Sequence, residues 1–183
     1  MLFHSLPIYK KEYCYFFEPF TGSLLVKNRE RRYKLEQHSI PKLSDAIECC
    51  NQPYLLAHKK HKKQRVNVSP SVRWYAKLLV WLSGQSFFWG RCFANIGLPC
   101  FATTKDAIIA FRQIFPTDRQ TDLCYPRTLF AASLSKTFKA KGCIFIGVYL
   151  PSKSMHAWMI EDGTQPDPYD NMWINFQPVA ALY

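Results

Sequence analysis

The sequence predicts an α+β fold, on three observations. Apolar residues recur at helical spacing through its second half. Short β-prone runs follow the last helical stretch. The composition, 48% hydrophobic and 20% charged, supplies a core and differs from that of a disordered chain. At 183 residues the chain suits one compact domain, or a small module joined to a medium one.

The first element is a strand pair. EYCYFFEPFTGSLLVKN reads as two short strands around a Thr-Gly-Ser turn. SIPKLSDAIECC then reads as a short helix, with Ser39 as its cap and Pro41 near its start. Strands plus a helix, aromatic and basic, fit a small peptide-binding module over residues 1–68. VNVSPSV (66–72) is the candidate linker, and residues 69–183 form the second unit. There SVRWYAKLLVWL (71–82) reads as a helix ending at Ser83-Gly84. TTKDAIIAFRQIF (103–115) opens on a Thr-x-x-Asp capping box and stops before Pro116. FFWGRCFANIGLPC, between those helices, shows no decisive period.

Pro126 falls in a first helical turn, where a missing N–H is tolerated. Phe130, Ala131, Leu134 and Phe138 then make one apolar face, and Gly142 supplies the stop. CIFIGVYL (143–150) reads as a buried strand and MHAWMIED (155–162) as an alternating one. Asp162-Gly163 is a hairpin signal, and MWINF (172–176) reads as a further strand.

The net charge is +11, with basic runs KNRERRYK (27–34) and HKKHKKQR (58–65). Such runs attract polyanions or acidic peptides, or are simply solvated loops. The seven cysteines are odd in number and contain no C-x-x-C pair, so neither a disulfide framework nor a zinc ribbon is expected, and no metal. MLFHSLPIYKKEYCYFF lacks the pattern of a secretory signal. The apolar stretch 74–101 is broken by Lys77, Ser83, Gly84, Gln85 and Arg91, so no membrane span is expected. A cytoplasmic protein with reduced thiols is the simplest expectation.

One cysteine stands apart. Cys124 opens a helix, where the partial positive charge and unpaired N–H groups of the first turn favour a thiolate. The Cys124 backbone N–H is also placed to hold a developing oxyanion. His156, the single histidine of the second half, is the candidate base. Two acids compete to orient it. With a two-residue loop at Asp162-Gly163, Asp167 shares a sheet face with His156, one diagonal step away. With a three-residue loop, Asp170 lies directly opposite. Asp167 is the preferred choice and Asp170 the alternative. Taken singly, a cysteine on an apolar helix is more often core, and a histidine beside Trp158 more often structural. The conjunction is what points to nucleophilic catalysis.

These residues carry a family resemblance. DLCYPRTLFAASLSKTFKAKG followed by IFIGVYLPSKSMHAWMIEDGTQPDPYDNM resembles the transglutaminase-like cysteine peptidases of lasso-peptide biosynthesis, the B proteins, over about residues 72–176. The pattern is Asp-Cys or Asp-x-Cys before a helix, an IGV-type strand, H-[AS]-W, and then an acid. The resemblance implies a transglutaminase-like or papain-like core, a helix packed on an antiparallel sheet. It implies Cys124 as nucleophile, His156 as base and Asp167 as orienting acid. The chain departs in the residue between Asp122 and Cys124, in Tyr125-Pro126, and in a shifted acid within a proline-rich segment.

The implied activity is removal of the leader from a lasso precursor peptide. An asparagine-synthetase-like cyclase then closes a macrolactam. ATP is implied by the resemblance, although the sequence has no G-x-x-x-x-G-K-[ST] loop. Residues 1–68 would be a leader-binding module that takes the leader as an added β-strand along 13–27, with Tyr15 and Phe17 forming side-chain pockets. Two other readings are a transglutaminase-like acyltransferase and a basic nucleic-acid-binding protein. No recognised nucleic-acid motif accompanies the charge.

Overall fold

The computed structural model describes residues 3–6, 8–10, 13–28, 65–116, 123–149, 151–167, 170 and 175–182. Its fold is mixed α+β, with two antiparallel sheets and a group of helices. The expected helix within 39–50 lies outside the described residues, as do most of the two basic runs.

The N-terminal segment supplies β1 (Phe3–Ser5), β2 (Ile8–Lys10), β3 (Tyr13–Glu18) and β4 (Ser23–Asn28). The β3–β4 hairpin forms where its sequence places it. Glu18 ties the turn by accepting from Phe20 N at 3.1 Å, Thr21 N at 2.6 Å and Thr21 Oγ1 at 2.7 Å. Gly22 closes it at φ 72°, a left-handed conformation that favours glycine.

Five helices follow among the described residues. They are α1 (Pro70–Gln85), α2 (Phe87–Asn95), α3 (Thr104–Ile114), α4 (Cys124–Leu134) and α5 (Lys136–Lys141). The expected linker 66–72 is not loose. Ser69 caps α1, Pro70 stands in its first turn, and Val66 and Val68 pack against the core. The helix also runs through Ser83-Gly84 to Gln85, beyond the expected stop. The capping box forms as read, with Asp106 N donating to Thr103 Oγ1 at 3.1 Å.

The helix expected from Pro126 to Phe138 is two helices. Ser135 takes extended backbone and bridges Phe101. Its side chain then caps α5, accepting from Phe138 N at 3.2 Å.

The chain ends in β5 (Gly142–Tyr149), β6 (Ser154–Glu161) and β7 (Gln177–Leu182). The last strand lies just beyond the expected 172–176. Strand order in the larger sheet is β1-β7-β5-β6, all antiparallel, and the smaller sheet is β2-β3-β4. Asp162 (φ 50°) and Gly163 (φ 73°) do make a tight turn, closed by a Glu161–Thr164 bridge. Among the described residues after it, none forms a strand along β6. The chain instead crosses to pair β7 with β5.

Ile144, Ile146 and Val148 of β5, with Ala157 and Met159 of β6, face the helices. Phe130 of α4 lies at the centre of that core, near the rings of Tyr75, Phe101 and Phe111 at 6.2, 6.3 and 5.3 Å. The other sheet face is buried as well: Phe145 and Trp158 stack there at 5.8 Å. A sheet covered on both faces explains why CIFIGVYL reads as an unbroken apolar run.

Nor does the boundary at 68/69 separate two cores among the described residues. β1 pairs with β7, Phe3 opposite Leu182, and Phe17 of β3 is a buried member of the same core.

Candidate active site

Cys124 is the first residue of α4. Among the described residues no side chain caps that helix, and its first-turn N–H groups present their partial positive charge beside the thiol. β6 brings His156 to the same cleft, where the imidazole acts on the thiol and lowers its pKa. The backbone N–H of Ala157, the next residue of β6, acts on the thiol in the same direction.

Asp170 completes the line. His156 Nε2 donates to its two carboxylate oxygens at 2.8 and 3.0 Å. With Nε2 so engaged, Nδ1 is the ring nitrogen left for the thiol. All three residues are buried, His156 to 6% exposure and Asp170 to 5%. The His156 ring is also flanked by Phe176 and Trp158, with centroids at 5.1 and 6.3 Å.

The electrostatics favour a charged pair. Burial is the largest influence on Cys124 and opposes the thiolate. The His156 hydrogen bond and charge, the Ala157 N–H and the Arg127 charge outweigh it, and the thiol pKa is lowered. Burial likewise opposes the imidazolium of His156. Hydrogen bonds to Asp170 and Cys124, with their negative charges, overcome it and raise His156 to about 9. The arrangement is a thiolate–imidazolium pair held by a carboxylate.

Asp167 is not in that line, which corrects the preferred assignment of the orienting acid. It lies 3.1 Å from Arg127 Nε and accepts from Arg112 Nη2 at 3.3 Å. The physical reason is the missing strand: without a partner along β6, the diagonal register that favoured Asp167 does not exist. Arg127 links the two acids, because its Nη2 also donates to Asp170 Oδ2 at 3.3 Å. An ordered chain of charge therefore runs Arg112, Asp167, Arg127, Asp170, His156, Cys124. Neither arginine featured in the sequence reading. The available signal was that Arg127 is the single charged residue of α4 and lies three positions after Cys124, on its face of the helix.

A cleft of about 360 Å³ opens at the pair. Phe17, Thr21 and Gly22 of the β3–β4 hairpin line it, with Phe87 and Tyr125 from the helices and Met155 from β6. Phe17 is thus a buried residue of the cleft wall. Tyr15 sits on β3, the middle strand of its sheet, opposite Val26 and Ile8. The open edges of that sheet belong to β2 and β4.

Among the described residues, no helix is long and apolar enough to cross a membrane. Compared with protein-family models, with curated proteins and with solved structures, the chain matches none.

Proposed function

We propose that this chain is a cysteine hydrolase that cleaves a peptide bond through a Cys124–His156–Asp170 triad. The observation that carries the reading is three buried side chains at one helix N-terminus: Cys124 and His156 share a cleft, and His156 is hydrogen-bonded to Asp170. The Cys124 thiolate attacks the scissile carbonyl, and first-turn N–H groups, that of Cys124 among them, donate hydrogen bonds to the developing oxyanion. As the C–N bond breaks, His156 passes its proton to the leaving amine, leaving a thioester on Cys124. His156 then takes a proton from water, the hydroxide attacks the thioester, and the C–S bond breaks. A carboxylic acid leaves, and the charged pair is restored.

The substrate we propose is the leader of a lasso precursor peptide, with an asparagine-synthetase-like cyclase as the partner. Support comes from the motif resemblance and from the order helix, strand, strand, acid, which suits a transglutaminase-like core. ATP is implied by the resemblance alone, and the described residues mark no site for it. The N-termini of α1, α2, α3 and α5 are capped by Ser69, Ser86, Thr103 and Ser135, and that of α4 faces the thiol. No step is therefore routed through a nucleotide.

The test is incubation of purified protein with a candidate precursor, followed by mass spectrometry. Wild type should release a fragment with a free carboxylate, and Cys124→Ala should release none. Cleavage by Cys124→Ala at the wild-type rate refutes the mechanism. An amide in place of the carboxylate would instead assign the same residues to acyl transfer.

A further inference from the structure

The cleft at Cys124 has an aromatic and aliphatic lining interrupted by the side chains of Thr21 and Ser83. On one side the β3–β4 hairpin brings Phe17 and the Gly22 backbone. That hairpin is pinned to α2: Ser86 Oγ donates to Phe20 O at 2.9 Å, and Phe20 stacks on Phe88 at 5.3 Å. Gly22 has room for almost nothing else, since a Cβ there would lie 3.1 Å from Phe87 Cβ. The floor is aromatic, with Phe17 edge-on to Phe87 at 4.7 Å and Phe87 stacked on Tyr125 at 4.2 Å. Ile146 and Met155 complete the wall on the sheet side.

Thr21 and Ser83 add neutral hydroxyls to the lining and no charge. Among the described residues, the one titratable lining group outside the Cys124–His156 pair is Tyr125. Its hydroxyl already donates to Phe87 O at 2.9 Å, and burial raises its pKa, so it stays neutral. An acidic or basic side chain entering here would lose its water and meet, among the described lining residues, no charged partner beyond the Cys124–His156 pair itself. Met155, by contrast, is 41% exposed at the cleft, an apolar surface without cover.

We infer that this cleft is the acyl-side specificity pocket and takes a neutral, apolar side chain of leucine or phenylalanine type. The inference rests on the proposed nucleophile. The group that bonds to Sγ is the acyl carbon, so the side chain it carries lies in the cavity that contains Sγ. A volume of about 360 Å³ accommodates one such side chain with its backbone, at the small end of ligand sites. One wall belongs to the N-terminal hairpin, so that segment takes part in selecting the acyl residue.

The experiment uses N-acetyl-aminoacyl fluoromethyl ketones of leucine, aspartate and lysine on the full chain. The thiolate displaces fluoride and forms a thioether, and the adduct on Cys124 is timed by peptide mass spectrometry. Iodoacetamide, which has no side chain to select, is run in parallel. The leucine ketone should label Cys124 at least about tenfold faster than the aspartate or lysine ketones. Met155→Glu should narrow the leucine-over-lysine ratio by about threefold or more, by supplying the missing counter-charge. Equal labelling by the three ketones, with iodoacetamide reacting normally, overturns the pocket and leaves the nucleophile standing. No reaction of Cys124 even with iodoacetamide overturns both.

Discussion

Asp167 and Asp170 differ in what they touch, and the difference predicts different phenotypes. Asp170→Asn keeps the shape but removes the charge that fixes the His156 ring. Turnover should fall by about 10²- to 10⁴-fold, and the melting temperature should fall as well, because Asp170 also pairs with buried Arg127. Asp167→Asn leaves the triad intact but strips Arg112 and Arg127 of their shared carboxylate. Breaking a buried pair of this kind costs about 3–5 kcal/mol, so thermal unfolding should move well down while residual activity persists. Acidity gives a second test. The reactive pair requires Cys124 ionised and His156 protonated. Activity should therefore fall on the acid side, as the thiolate regains its proton, and on the alkaline side near pH 9, as His156 loses its own. The stability sign agrees. His156 holds its proton more tightly folded than unfolded, so that contribution is complete below about pH 6.5 and is lost as pH rises through about 9.

At the scale of elements, the strand opposite the base is built around an absence. Gly147 pairs with His156 across β5 and β6. A Cβ there would come within 2.5 Å of Trp158 Cζ3 and 2.8 Å of the Gln177 carbonyl oxygen. Gly147→Ala must push Trp158, whose ring flanks His156, or part β5 from β7. Lower stability and a slower reaction should appear together, by thermal melt and by turnover. Gly147 was legible only as part of an apolar run, because close approach is a property of the neighbours.

Other elements show the same division. The Thr103 box and the Asp162-Gly163 turn are local chemistry, so their sequences suffice. The break at Ser135 is not local. It depends on Phe101, whose carbonyl accepts from Lys136 N at 3.0 Å. Within the site, Cys124 and His156 were readable because a helix start and an alternating strand announce themselves. The acid was not, because an irregular segment delivers it and no periodicity governs where that segment lands.

Across the whole molecule the chief surprise is connectivity. A strand of three residues at the beginning pairs with the final strand, and β7 lies between β1 and β5. Long-range pairing of this kind leaves no mark in composition or motif, which is why the sequence suggested a boundary near 68. Removing residues 1–6 should uncover the edge of β7. We expect a lower melting temperature and concentration-dependent aggregation, measurable by light scattering.

The same arrangement bears on when the sulfur becomes dangerous. Residues 177–182 fill the gap between the first strand and the one facing His156, so the sheet beneath the reactive pair closes only once those residues leave the ribosome. On the proposed reading, a nascent chain that has already exposed its thiol and its imidazole still lacks the closed sheet on which the two meet.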